Sequence, residues 1–403
     1  MKKTNLKKIM MLGGNHFQIT GIQAAKEQGY YVITVDYLPN NPGHKLADEY
    51  HNISTLDKHG VLKLAQSLKI DGIVSFASDV SAPTAAFVAE QMGLPTNPYS
   101  SVEILTHKNL FRNFLREHGF PTPIGATFTE LKDAMNFMDE VQTTVMIKPV
   151  DSSGSKGVFK CQNREDIANN WEESLRYSIQ KKIILEEFIE RKGSQIDGDI
   201  FLDNKNIDFW GICNQHQDED LAPYVPIGLS FPPSQASIIQ LGAKKQLRKI
   251  FNLLNMTRGA FNIEYVVGKN NQIYILEIGP RNGGNWIPDI IKIATGYDMA
   301  ANTVRQAVGD TLIANNQTRP IKPTSSYLIH SQYDGIFEEV CFSDHIRPFI
   351  VRTMMFVEKG SQVKRFTNAG NAIGVMLLTF DTIKELNETM EKINMHVKVK
   401  LRR

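Results

Sequence analysis

Glu264 and Glu277 are the residues whose placement first asks for chemistry. They sit in two apolar runs, Arg258–Val267 and Gln272–Ile278, joined through Lys269-Asn270-Asn271-Gln272. Asn tolerates the left-handed conformation that tight turns demand, so the segment reads as a β-hairpin. With Asn270-Asn271 as the central pair, Glu264 falls directly opposite Glu277, and Asn262 opposite Gly279. Directly opposed Cβ atoms lie about 4.5–5.5 Å apart, and two carboxylates there repel unless positive charge sits between them. A hard divalent cation would supply that charge, because Mg2+ takes carboxylate oxygens together with substrate phosphates. Taken alone, the hairpin is equally well served by a Lys or Arg beside one Glu, or by a bulge separating the two. The opposite face, with Ile263, Tyr265, Val267, Tyr274, Leu276 and Ile278, is expected to be core.

The hairpin runs into Gly279-Pro280-Arg281-Asn282-Gly283-Gly284-Asn285. Glycines let backbone approach a ligand closely, and Arg281 offers a planar fork for phosphate or carboxylate oxygens. A second constellation is Lys148 followed by Ser152-Ser153-Gly154-Ser155-Lys156-Gly157. Lys148 ends an apolar run, where an ammonium wants an anion. The loop after it offers backbone N–H groups, hydroxyls and a lysine for phosphates, and its glycines suit a flap. It is not the Gly-x-x-x-x-Gly-Lys-Ser/Thr loop, and by itself a flexible linker would account for it. Ile183–Glu190 ends in Glu186-Glu187-Phe188-Ile189, whose apolar surface and strand backbone suit an adenine slot; an ordinary edge strand is the plain alternative. Gly13-Gly14 and Asp36 suggest a dinucleotide turn, but Asn15, His16 and Phe17 break Gly-x-Gly-x-x-Gly and argue against nicotinamide.

These residues need a scaffold. At 403 residues the chain calls for two to four domains or subdomains. Strands at Lys8–Leu12, Tyr31–Asp36 and Asp71–Ser75 alternate with helices at Ile19–Gln28, Gly60–Leu68 and Pro83–Met92, which implies a parallel α/β sheet. The helix Lys108–His118 stops at Gly119 and Pro121-Thr122-Pro123, marking a boundary. Short strands then follow at Val145–Lys148, Gly157–Cys161, Ile183–Phe188, Ile196–Leu202 and Ile207–Cys213, with helices at Leu131–Glu140, Asp166–Ser178, Gln235–Leu254 and Met299–Val308. Arg319–Pro323 opens a last α+β region with strands at Ile350–Val357 and Ala372–Leu378 and a helix at Ile383–Ile393.

Composition narrows the classes. Hydrophobic residues make up 42% and charged ones 22%; 45 Lys and Arg nearly balance 43 Asp and Glu. Such balance argues against a general nucleic-acid or membrane-surface binder. The basic start, Met1–Lys8, lacks a long apolar run or a cleavage site, and no stretch is long enough to cross a bilayer. Cys161, Cys213 and Cys341 are scattered without metal spacing, as expected of reduced thiols in a cytoplasmic protein. The sequons at Asn52, Asn316 and Asn387 then read as chance matches.

In this order the pieces resemble the ATP-grasp superfamily, over about residues 8–310. The resemblance implies an ATP-grasp fold of mixed α/β and α+β class. Its segments would be a parallel-sheet pre-ATP-grasp domain (1–120), a small lid (121–192), a large subdomain with the metal site (193–320) and a small C-terminal domain (321–403). Residues 325–403 are similar to the small C-terminal domain of biotin carboxylase-like members and of L-amino acid ligases, and the chain as a whole resembles L-amino acid ligases and biotin carboxylase or carbamoyl phosphate synthetase large-chain-like proteins. Lys108 and Lys148 would bind the α- and β-phosphates, Ser152–Gly157 would cover them, and Glu186–Ile189 would meet adenine. Gln195 would stand at the ribose position, and Glu264 and Glu277 would bind Mg2+ or Mn2+. Arg281, with Lys148 and Asn282, would serve the transferring phosphoryl group and an acyl phosphate. The implied reaction couples a small-molecule carboxylate to an amine, with release of ADP and phosphate, in a protein compatible with a homodimer. Bicarbonate activation, or a non-catalytic ATP-binding relative, is the alternative.

Two departures stand out. Where many members carry a metal-ligating Asn two residues after the second Glu, this chain has Gly279, and Asn262 or Asn282 would substitute. Pro226, in Tyr224-Val225-Pro226-Ile227-Gly228, stands where amino-acid ligases carry an acidic residue. The nearby His216–Asp220 run would bind a cationic amine or form a solvated acidic loop.

Overall fold

The computed structural model describes residues 6–314 and 321–402; the Asn316 sequon, Arg319, Pro320 and the first five residues lie outside them. Strands β1 (Lys8–Leu12), β2 (Tyr31–Val35), β3 (Glu49–His51) and β4 (Gly72–Ser75) form a sheet in the order β3-β2-β1-β4, with parallel pairings throughout. Helices α1 (Ile19–Glu27), α2 (Lys58–Leu68), α3 (Ala82–Gln91), α4 (Tyr99–Thr106) and α5 (Lys108–Glu117) complete this part. The alternation read from sequence is present; β3 and α4, too short or too polar to stand out, are additions.

A second sheet, ordered β5-β8-β6-β7, is small and antiparallel. It contains β5 (Gly125–Phe128), β6 (Val145–Pro149), β7 (Phe159–Cys161) and β8 (Ile183–Glu187). Helices α6 (Leu131–Val141) and α7 (Arg164–Arg176) pack Ala134, Met138, Ile167 and Trp171 against its apolar side.

The central sheet has eight strands in the order β13-β12-β9-β10-β11-β14-β18-β16. Its first five are β9 (Ile196–Asp203), β10 (Asn206–Asp218), β11 (Ala222–Phe231), β12 (Gly259–Val267) and β13 (Ile273–Gly279). Helices α8 (Ser237–Leu253), α9 (Ile287–Thr295) and α10 (Met299–Ala307) belong to the same part. The remaining three strands come from the C-terminal region: β14 (Thr324–Ile329), β16 (Ile350–Met355) and β18 (Gly374–Thr379). A further three-stranded sheet joins β15 (Gly335–Phe342), β17 (Gln362–Val363) and β19 (Val397–Arg402), while α11 (Ile383–Glu391) sets Met390 against Ser325 of β14. The central sheet therefore continues without a break across residues 196–379.

β10 runs five residues beyond the expected end at Cys213, and β11 follows as its antiparallel partner. The polar run His216–Asp218 hid this: alternating polar residues in a paired strand look like loop when only composition is read. His216 is half-buried with Nε2 2.9 Å from the Ser230 hydroxyl, and desolvation of the ring pushes its pKa down to about 4. Asp218 Oδ2 accepts from Asn394 Nδ2 at 2.7 Å. His216–Asp218 is thus paired strand, whereas Glu219 and Asp220 are exposed in the turn that follows, with Glu219 lining the cleft and 3.5 Å from Arg191 Nη2.

The hairpin gives a sharper lesson. Glu264 pairs Glu277, Ile263 pairs Ile278 and Asn262 pairs Gly279, as expected. Nearer the turn the ladder shifts by one, so Tyr265 pairs Ile275 and Val267 pairs Ile273. The loop is one residue longer than the expected two-residue turn, closed by Gly268 N–H to Gln272 O at 2.9 Å with Asn271 at φ 62°. A bulge at Leu276 restores the register before the glutamates. Consequently Ile273 and Ile275, not Tyr274 and Leu276, share the core face with Ile263, Tyr265, Val267 and Ile278.

Candidate functional site

The parallel sheet, the small antiparallel sheet and the central sheet meet around a cleft of about 700 Å³ whose lining reaches from Asn15 to Gly370. Lys108, Lys148, Ser152–Lys156, Glu186–Ile189, Gln195, Asn262, Glu264, Glu277 and Arg281 all line it. Two expected site residues do not. Gly157 turns away at φ 70°, with its carbonyl accepting from Ser174 Oγ at 2.7 Å. Asn282 is fully buried, lines a separate cavity of about 100 Å³, and leaves both side-chain polar atoms without partners. A place for Asn282 at the phosphoryl group, or as the replacement metal ligand, does not fit this position.

One end of the cleft is a row of cations. Lys108, at the start of α5, donates to Ser152 O at 3.0 Å and lies 3.2 Å from Glu277 Oε2. Burial works against its charge, but Glu277 and Asp79 outweigh that and raise its pKa. One helical turn on, Arg112 Nε is 2.8 Å from Glu186 Oε1, while Lys148 Nζ is 2.7 Å from Glu186 Oε2. Burial would raise the Glu186 pKa, but Arg112 and Lys148 overcome it and hold it down to about 2. Glu186 is thus the shared counterion of the row, with its backbone in β8. The Arg112 guanidinium also donates to Leu276 O at 2.8 Å, capturing the carbonyl of the bulge residue.

At the adenine segment, Glu187 N–H donates to Ile124 O at 2.7 Å and Phe188 N–H to Thr144 O at 2.9 Å. The Ile189 N–H has no backbone or side-chain acceptor among the described residues, leaving it free to read a base edge. Lys160 Nζ lies 4.1 Å from the Phe188 ring centroid on the same wall.

The other end is acidic. Glu264 Oε2 accepts from Gln195 Nε2 at 2.9 Å, and the same nitrogen donates to Gln215 Oε1 at 3.2 Å. Burial, Asp197 and Glu277 push the Glu264 carboxyl well above the usual range, more than Lys108 and Arg281 offset. The directly opposed Glu264 and Glu277, both lining the cleft, are the oxygen donor set that a divalent cation would fit. Asn262 Nδ2 donates to Asp197 Oδ1 at 2.7 Å and Asp199 Oδ1 at 3.2 Å, and its Oδ1 carries no hydrogen bond among the described residues. Of the two asparagines expected to replace the missing ligand, only Asn262 reaches the cleft.

Asp79, Arg112, Asp197 and Asp199 were not expected. Arg281 Nε donates to Asp79 Oδ1 at 2.7 Å and its Nη2 to Asp79 Oδ2 at 2.5 Å. Burial drives the carboxyls of Asp197 and Asp199 up to about 6 and about 7 respectively. Asp199 also accepts twice from Gly283 N–H, at 2.8 and 2.7 Å. Signals existed. Asp197 and Asp199 alternate along β9, with Gln195 just before it in the same spacing, which puts them on one face. Arg112 interrupts the apolar stripe of α5 one turn after Lys108, and Asp79 follows the C-terminal end of β4, where open α/β sheets bind ligands.

The geometry also explains Gly279. A Cβ at that position would lie 2.6 Å from Asp79 Oδ1 and 3.0 Å from the Arg281 guanidinium carbon. The Asp79–Arg281 pair fills the space that a side chain at residue 279 would need.

Residues 107–315 match the family described as "Carbamoyl-phosphate synthase L chain, ATP binding domain". The C-terminal section of the carbamoyl phosphate synthase large chain of Aquifex aeolicus is 24% identical over 323 residues, covering 76% of this chain and 59% of that protein. The chain therefore spans under two thirds of this relative. Among solved structures, L-amino acid ligase from Bacillus licheniformis superposes with a TM-score of 0.82 at 18% identity, over 98% of this chain and 99% of that one. The biotin carboxylase domain of Hydrogenobacter thermophilus 2-oxoglutarate carboxylase, solved with MgADP and bicarbonate, gives a TM-score of 0.74 at 16% identity, covering 98% and 91%. At such identities these two likenesses establish the fold. No helix among the described residues is long and apolar enough to cross a membrane. ATP and Mg2+ are the cofactors that go with this site. The cation row, the carboxylate pair and the family match over more than half the chain together make this protein a member of the ATP-grasp family of ATP-dependent ligases, through its carbamoyl-phosphate synthase L-chain-type ATP-binding domain.

Proposed function

We propose that this protein activates a carboxylate with ATP and couples it to an amine, releasing ADP and phosphate. The observation that carries this reading is the Glu264/Glu277 pair, facing the same cleft as Lys108, Lys148 and Arg281. ATP with Mg2+ supplies the phosphoryl group and neutralises its charge. Lys108 and Lys148 hold the phosphates, exchanging Glu277 and Glu186 for phosphate oxygens. Arg281, already oriented by Asp79, holds the acid and then the acyl phosphate, whose carbonyl the amine attacks while phosphate leaves. The Ser152–Lys156 loop excludes water, and the free Ile189 N–H reads adenine.

The four-segment organisation, a cytoplasmic setting suggested by three free cysteines, and a homodimer belong to the same proposal. The test is a coupled ADP-release screen over amino acids, sugar acids, bicarbonate and amines. ADP and phosphate released only when an acid and an amine are both present support it. Release stimulated by bicarbonate alone replaces the organic acid with a one-carbon one. AMP as product overturns the acyl-phosphate route.

A further inference from the structure

Above the phosphate end of the cleft, the Ser152–Lys156 flap does not end in solvent. Gly154 and Ser155 take left-handed φ values of 68° and 59°, and Ser152 Oγ closes the turn by donating to Lys156 O at 3.0 Å. Ser155 Oγ donates to the Tyr224 carbonyl of β11 at 2.8 Å. Across from the flap lies the loop Thr367–Asn371, between β17 and β18 of the C-terminal region. A Cβ built on Gly154 would lie 3.7 Å from Ala369 Cβ, and one on Gly370 would lie 4.0 Å from Lys156 Cε. Ala369 and Gly370 line the reaction cleft with the flap.

The loop is built to hold its shape. Asn368 Oδ1 accepts from Gly370 N–H at 2.9 Å, and Asn371 Oδ1 accepts from Thr367 Oγ1 at 2.9 Å and Asn368 Nδ2 at 3.0 Å. A side chain at 370 would strike Asn368 Oδ1 at 2.9 Å, so glycine preserves both this cap and the approach of Lys156. Lys156 has no ion-pair partner among the described residues, and it lines the cleft beside Gly370.

We propose that Thr367–Asn371, together with the Tyr224 carbonyl, is the seat on which the phosphate-covering flap closes. The C-terminal region thereby seals the reaction chamber and positions Lys156. Ser155, Ala369 and Gly370 act through the flap, as positioning residues. The role of the sealed chamber rests on the ligase reading; the seat itself does not.

Two variants separate them. In ligand-free protein, hydrogen–deuterium exchange over residues 150–158 is measured for the parent, Ser155→Ala and Ala369→Phe. Losing one hydrogen bond of ordinary net strength speeds exchange about five-fold in S155A. The larger wedge in A369F speeds it about ten-fold or more, with thermal unfolding elsewhere unchanged. With a fluorescent ATP analogue and Mg2+, both variants also release nucleotide faster, in the same rank order. Exchange within two-fold of the parent in both variants overturns the seat. Faster exchange without any nucleotide binding in the parent keeps the seat and removes the ligase reading instead.

Discussion

Asp79 and Arg281 are 202 residues apart in sequence and form a two-bond ion pair at 2.7 and 2.5 Å on the wall of the cleft. Both side chains are about nine-tenths buried, at 11% and 10% exposure, so the guanidinium has one orientation before any substrate arrives. Asp79→Ala leaves Arg281 buried without this partner. Unfolding stability is expected to fall by about 3 kcal/mol in urea titrations. Asp79→Glu is expected to recover part of kcat while Asp79→Asn does not.

The acid cluster predicts an unusual pH dependence. Asp197 and Asp199 have folded pKa values of about 6 and about 7, above their ordinary carboxylate values. Stability from such groups is full below the unfolded pKa and lost as pH rises through the folded one. The metal-free protein is expected to lose several kcal/mol, to order of magnitude, as pH rises from about 4 to about 7. Asp199→Asn is expected to flatten that slope. Glu186, held down to about 2, acts oppositely, and its contribution disappears only as pH falls from about 4.5 through 2. Calorimetry across pH reads both.

Glu264→Gln removes one of two opposed carboxylates. Without metal the variant is expected to unfold at the same or a higher temperature than the parent, since repulsion is relieved. The rise in unfolding temperature that Mg2+ with ATP gives the parent is expected to vanish. A variant that keeps the full Mg2+ response would place the metal elsewhere.

Lys148→Met and Arg112→Met share a counterion but should fail differently. Arg112 serves Glu186 and the Leu276 carbonyl from a nearly inaccessible position, at 3% side-chain exposure. Its loss is expected to cost about 3–5 kcal/mol of stability, measured in urea. Lys148 faces the cleft at 16% exposure, and its loss is expected to raise the KM for ATP about 100-fold with a smaller stability change.

Asn262→Ala is expected to raise the Mg2+ concentration for half-maximal ADP release about ten-fold, the scale seen when outer partners of a metal are lost. Asn282→Ala, whose side chain faces the separate small cavity, is expected to leave it unchanged. Equal Mg2+ curves for Asn262→Ala and the parent would remove Asn262 from the metal site.

What the sequence disclosed follows the range of the forces involved. The Glu264/Glu277 opposition was legible because ladder pairing is local, although the correct register arose from a longer loop and a bulge that cancel. Lys108, Lys148 and the Ser/Gly loop were legible because charge and flexibility look out of place in apolar runs. Asp79 was not, since its importance comes from a partner on another sheet. Asp199 looked like an ordinary strand residue until burial and Gly283 gave it an environment. The β10–β11 pairing stayed hidden because its polar residues are satisfied by tertiary partners such as Ser230 and Asn394.

The unbroken eight-stranded sheet limits how this chain can be divided. Its ATP-binding match stops at residue 315, yet β11 pairs with β14, and β18 and β16 follow beyond it. A fragment trimmed to residues 107–315 would carry Lys108, Lys148, Glu264 and Glu277 but turn β11, with Leu229 and Phe231, into an open sheet margin. Such a margin recruits other chains. As an engineering module, then, the smallest piece worth expressing is set by backbone pairing and not by the catalytic residues. Domain exchange with relatives would have to cut where no strand ladder is crossed.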